Sequence, residues 1–128
     1  MVPKYRCWDE RVGLTEVVSI DFFRKKIKIN HWEYGNSNFF PLDEVVLMQS
    51  TGLKDKNGVE IFEGDVVICL GPDLEETFST VAFAEGAFCV NHKHLGVEFE
   101  FLYFVDSAME VIGNIYENPE LLEPDYEN

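Results

Sequence analysis

No stretch of this 128-residue chain approaches the 18 or more apolar residues that a membrane-spanning helix requires, and the opening MVPKYRCWDERVG has charge but no apolar run behind it. A soluble protein without a visible targeting segment is expected. Cysteine is scarce and odd in number: Cys7, Cys69 and Cys89 have no framework spacing, which excludes a disulfide scaffold and suits the reducing cytosol. Positive charge is missing from the second half, where residues 63–128 hold fifteen Asp and Glu against Lys93 alone. A surface of that sign repels nucleic acid and anionic lipid, so neither direct nucleic-acid binding nor membrane binding is expected. The chain also lacks a P-loop, a G-x-S-x-G elbow, an H-E-x-x-H pair and a dinucleotide fingerprint. These absences argue against an enzyme. Repeats and low-complexity linkers are missing too, so composition gives no division into independent domains.

What is present is the material of a core. Hydrophobic residues make up 46% of the chain and aromatics 14%, which excludes general disorder despite a formal charge of -14. A chain of this length buries roughly two thirds of its unfolded surface without help from metals or disulfides. The first part of the chain has the opposite balance to the last, with seven Lys and Arg against four Asp and Glu in residues 1–29. The cluster Arg24, Lys25, Lys26 and Lys28 reads first as a solvated strand edge that discourages aggregation. Two other readings stay open: phosphate contact, and pairing with the acidic half of the same chain or of a second copy.

Periodicity and turn residues predict a strand-rich fold. Residues 16–23 alternate Val18, Ile20 and Phe22 on one face, and 27–34 continues with Ile27 and Ile29 before slipping to Trp32 and Tyr34, giving two strands or one bulged strand. Gly35-Asn36-Ser37-Asn38 reads as a loop, followed by a run interrupted by Pro41, a strand at 45–50 and a turn at Thr51-Gly52. Asn57-Gly58 supplies a tight hairpin turn and Gly64 a second sharp bend before Asp65-Val66-Val67-Ile68. Further strands at 78–84, 86–90, 97–105 and 109–115 read as an antiparallel meander. A short helical turn at 118–122 follows, with Asn118 as N-cap and Pro119 in the first position, and then an acidic tail at 123–128. The expected fold is all-β, with a compact curved sheet or small barrel built by residues 51–115.

Candidate chemistry is thin. Cys89, His92 and His94 form C-x-x-H-x-H, a natural zinc set without the second ligand pair that a structural site needs, and no activating partner is visible for a Cys/His nucleophile. No metal or cofactor is expected. Asp55, Asn57, Gly58, Gly64 and Asp65 read as turn residues, with carboxylates accepting backbone N–H groups. Trp8, Trp32 and Tyr34 read as core or interface anchors. In 97–105, Val97, Phe99, Phe101, Tyr103 and Val105 share one face, while the other begins with Glu98 and Glu100 and turns apolar at Leu102 and Phe104. Leu102 and Phe104 therefore need a second cover, from the N-terminal sheet or from another copy.

Three blocks together, KYRCWDERVGLTEVVSIDF at 4–22, LMQSTGLKDKNGVEIFEGDVV at 47–67 and EVIGNIYENPELL at 110–122, resemble the YopX family of phage and prophage proteins from Gram-positive bacteria. The resemblance runs along essentially the whole chain as one unit. It implies an all-β protein in which a twisted antiparallel sheet, formed mainly by residues 1–50, accompanies a small SH3-like barrel within 51–122. It also implies a homo-oligomer in the cytoplasm of a bacterial host, and brings no established activity, cofactor or catalytic residue. The expected function is that of a non-enzymatic accessory protein binding an unknown protein partner. The alternative is an acidic DNA-mimic inhibitor of a host DNA-binding protein, with carboxylates standing in for phosphates.

Overall fold

Antiparallel strands, most of them short and closed by sharp turns, account for most of the computed structural model, which describes residues 4–31, 35–70, 76–84, 86–91, 100–101 and 109–122. The chain divides into two compact units, Met1–Ser50 and Thr51–Asn128.

The N-terminal unit contains β1 (Tyr5–Asp9), β2 (Gly13–Asp21), β3 (Lys26–His31), β4 (Gly35–Pro41) and the first part of β5 (Val46–Lys54), in the order β4-β3-β2-β1-β5. Its core is Cys7, Ile27, Ile29 and Phe40, with Val12, Val17, Ile20, Leu42, Val45 and Leu47 packed around them. Ile27 and Ile29 are inward as their spacing predicts, but the expected partner face on β2 is not the one used. The register with β3 shifts between Val17 and Ser19, so Val17 opposes Ile29 and Ile20 opposes Ile27. This bulge leaves Val18 48% exposed and places Val17 and Ile20, three residues apart, on the core. The strand also stops at Asp21, so Phe22 leaves the predicted face and enters the turn to β3.

Residues 35–38, expected as a loop, are strand. Ile29 opposes Asn38 and Ile27 opposes Phe40, so ladder pairing with an apolar neighbour overrides the poor β-propensity of Gly, Asn and Ser. Being on the sheet edge, β4 tolerates Pro41 at its end, opposite Lys26, where no second ladder needs its missing N–H. Strand β5 likewise runs through the expected Thr51-Gly52 turn: Gly52 takes φ 80° within the strand, and Thr51 is buried with its hydroxyl donating to the Ile61 carbonyl at 2.8 Å.

In the C-terminal unit, β6 (Glu60–Phe62) lies beside β5, and a five-stranded sheet has the order β10-β9-β8-β7-β11. These strands are β7 (Asp65–Leu70), β8 (Glu76–Ala84), β9 (Ala87–Asn91), β10 (Glu100–Phe101) and β11 (Glu110–Asn114). The simple meander is corrected at its end, because β11 returns to pair with β7. Asp65, Val66 and Val67 on β7 are all buried, so this strand is covered on both faces, as a continuous apolar run requires. The core is Ile61, Val67, Cys69, Val81, Phe88, Val90 and Met109. Gly64, at φ 89°, donates its N–H to the Val81 carbonyl at 2.8 Å and accepts the Ile115 N–H at 2.9 Å. A bend with positive φ that bonds in both directions is a natural place for glycine.

The helical turn is a 3-10 turn at Pro119–Leu122. Asn118 precedes it, with its carbonyl accepting the Leu121 N–H at 3.1 Å and its Oδ1 accepting the Asn114 N–H at 3.2 Å. This packs the Asn118 side chain over Gly113, where a Cβ would lie 2.5 Å from Oδ1.

Candidate functional site

Leu102, Phe104, His92, His94, Trp32 and Tyr34 lie outside the described residues. Cys89 is fully buried, with its thiol directed at the Ala84 and Ala87 carbonyls at 3.5 and 3.4 Å. Cys69 is 3.8 Å from the Ser79 hydroxyl, and Cys7 is 3.3 Å from Thr15 Oγ1. Burial pushes the Cys7 thiol up; the Thr15 contact opposes this and the Asp9 charge reinforces it, leaving the group a neutral thiol rather than a nucleophilic thiolate. Among the described residues, no three His, Cys, Asp or Glu side chains gather as a metal site.

Asp55 and Asp65 serve the turns. Asp55 Oδ1 accepts the N–H groups of Asn57 and Val59, both at 2.8 Å, and its Oδ2 accepts the Val111 N–H at 2.9 Å. Burial alone would raise this carboxyl, but the N–H donors of Val111, Val59 and Asn57, with Lys56 nearby, hold it below the usual range. One oxygen orders the hairpin turn while the other joins it to β11, 56 residues away in sequence. Asp65 Oδ2 accepts the Phe62 N–H at 2.7 Å across the Gly64 bend. In the N-terminal unit, buried Asp9 is held differently: Arg11 donates to it through the backbone N–H, Nε and Nη2 at 2.8, 2.9 and 2.7 Å. The Arg11 side-chain bonds outweigh burial and hold Asp9 below the usual carboxylate range. The guanidinium also lies 4.8 Å from the centroid of the Phe40 ring. All three carboxylates hold the chain where it turns, a structural role.

The surface that stands out is the turn between β2 and β3. Asp21 opposes Lys26, and Phe22-Phe23-Arg24-Lys25 form the turn between them. Phe22 is 69% exposed and Phe23 95%, a large apolar area held in water. Asp21 Oδ1 accepts the Arg24 N–H at 2.9 Å, the local aspartate turn that fixes the loop, and Arg24 Nη1 lies 3.8 Å from Asp21 Oδ2. The Lys25 carbonyl accepts the Leu42 N–H at 2.8 Å, which ties the turn to the chain leaving β4. The solvent-facing side continues the same chemistry: Lys28 opposes Phe39, with its ammonium 5.7 Å from the centroid of that ring, and Phe39 is 55% exposed. Phe22 lies in this turn and not in the strand expected for it. Strand β3 is paired on both sides, so Lys26 and Lys28 protect no edge. The signal that locates the turn is Asp21 three residues before Arg24, easily overlooked inside a run of apolar and cationic residues.

Comparison with known proteins accounts for nearly the whole chain. The sequence model of the YopX protein family matches residues 4–123. The crystal structure of protein EF1440 from Enterococcus faecalis is similar, with 32% sequence identity, a TM-score of 0.63 and coverage of 96% of this chain and 99% of that one. The crystal structure of protein yopX from Bacillus subtilis has 23% identity and a TM-score of 0.62, covering 94% of this chain and 98% of that one. No curated protein matches the chain. Among the described residues, no helix is long and apolar enough to cross a membrane.

Proposed function

Because the chain belongs to the YopX family, we propose that it is a non-enzymatic phage or prophage accessory protein, an oligomeric protein-binding module that works in the cytoplasm of a bacterial host. The observation that carries this reading is the fixed β2–β3 turn, where Phe22 and Phe23 stand 69% and 95% exposed beside Arg24, Lys25 and Lys26. Rigid aromatic side chains flanked by cations lose little entropy on contact and supply the anchors that protein interfaces favour. The C-terminal sheet with the β5–β6 hairpin acts in this reading as a small SH3-like barrel that presents strand faces without a catalytic constellation. No cofactor, membrane or direct nucleic-acid contact is part of the function. Light scattering at micromolar concentration is expected to give a mass that is a multiple of 14.8 kDa; a monomer mass overturns the oligomeric reading.

A second reading is favoured by where the charge lies. The N-terminal unit carries seven cations and seven acids and the C-terminal unit three cations and seventeen acids, so the whole formal charge of -14 belongs to the latter. Such a unit could occupy the basic groove of a host DNA-binding protein. Competition with DNA for a captured host protein would favour this reading, and capture of a partner that leaves its DNA binding intact would oppose it.

A further inference from the structure

We propose that the β2–β3 turn docks against the acidic C-terminal unit of a second copy of this chain. The inference rests on the oligomeric reading above and names the surface through which it operates. Four of the seven cations of the N-terminal unit fall within residues 24–28, next to the two most exposed large apolar side chains among the described residues. The opposite charge is available in excess on the other unit, where Glu76, Glu117 and Glu120 are exposed and Leu122 adds a 43% exposed apolar side chain. A cationic, aromatic knob matches a surface of acids interspersed with apolar groups. Contact between copies brings the knob of one to the anionic unit of the other, whereas anionic lipid or nucleic acid would meet a chain of formal charge -14.

Backbone conformation singles out one residue of the turn. Lys25, at φ 55°, is the one non-glycine residue with positive φ among the described residues. Glycine or asparagine would occupy that position with less strain, so replacing Lys25 separates the backbone conformation of the turn from its charge. The knob is also preorganised, since the Asp21–Arg24 and Lys25–Leu42 hydrogen bonds fix it before any partner arrives.

Concentration-dependent light scattering of the full chain and three variants tests the assignment. Phe23→Glu and Lys25→Glu are expected to weaken self-association by about tenfold or more, the loss of a central anchor or of a charge pair, with circular dichroism and melting temperature close to wild type. Lys25→Gly separates strain from charge: it should melt no lower than wild type and still associate several-fold more weakly. Wild-type association should also weaken at about 0.5 M NaCl, where charge pairs are screened. Folded turn variants that associate as tightly as wild type would overturn this contact while leaving the oligomer intact. A monomeric wild type would overturn both readings. Wild-type binding to phosphatidylserine vesicles that Phe23→Glu abolishes, with self-association unchanged, would assign the turn to a lipid surface and overturn the proposal.

Discussion

The two units solve the same problem, a buried carboxylate, by different means. In the N-terminal unit, cations equal acids and Asp9 is gripped by a side-chain cation, Arg11. In the C-terminal unit, seventeen acids face three cations, and Asp55 accepts three backbone N–H groups while Asp65 accepts that of Phe62. With few Lys and Arg in this unit, backbone N–H donors, which carry no formal charge, hold the Asp55 carboxyl below its usual range against the opposing effect of burial. The donors from Asn57, Val59 and Phe62 are local to the bend that carries each carboxylate, while the third Asp55 donor, Val111, comes from β11.

The comparison breaks most visibly at Asp55. Asp55→Ala leaves three N–H groups without their acceptor and should destabilise by about 3 kcal/mol or more, read from urea denaturation. A loss under 1 kcal/mol would show that solvent replaces the carboxylate and that the latch to β11 is unimportant. Gly64→Val should follow at about 2 kcal/mol, because a β-branched side chain at φ 89° is strained and the bend bonds at both its N–H and its carbonyl. Gly113→Ala should cost on the order of 1 kcal/mol, the new Cβ displacing the Asn118 side chain from the Asn114 N–H; an unchanged midpoint would mean that this side chain swings aside freely.

Acid sharpens the contrast. Asp9 and Asp55 are both held below the usual carboxylate range in the fold, so each contributes stability that is complete above its unfolded pKa, near ~4, and is lost as pH falls through the lower folded value. Arg11→Gln should bring forward the acid loss of protection at the Asp9 turn while leaving the Asp55 hairpin unchanged, as followed by hydrogen exchange in each unit. Equal shifts in both units would mean that the two carboxylates titrate as one cooperative system. The smallest effect expected is from salt: raising NaCl should increase protection slightly in the C-terminal unit, whose like charges it screens, and leave the neutral N-terminal unit nearly unaffected.

Much of this architecture was legible in the residues. The turns at Gly58 and Gly64 were readable from glycine in Asn57-Gly58 and before Asp65, and both take positive φ, 81° and 89°, while Ile27 and Ile29 declared the inner face of β3 through their period of two. The candidate surface was only half legible: the cations were evident, but their place on a turn between paired strands was not. Locating them required knowing that β2 ends at Asp21, and nothing in the alternation of Val18, Ile20 and Phe22 marks that end.

Residue types and short-range spacing were enough for the all-β class, the tight turns, the three free cysteines and the uneven charge, because each depends on positions close together in the chain. Tertiary structure alone decided the bulge at Val17–Ser19, the conversion of 35–38 into an edge strand, the return of β11 to β7 and the reach of Asp55 to Val111. These depend on which strand becomes a neighbour. Pairing energy is shared between segments far apart in sequence, so a glycine- and asparagine-rich stretch becomes a strand when an apolar partner offers it a ladder. An aspartate that looks like a local turn residue becomes a long-range tie for the same reason, once an unpaired N–H from another strand arrives within 2.9 Å of its second oxygen.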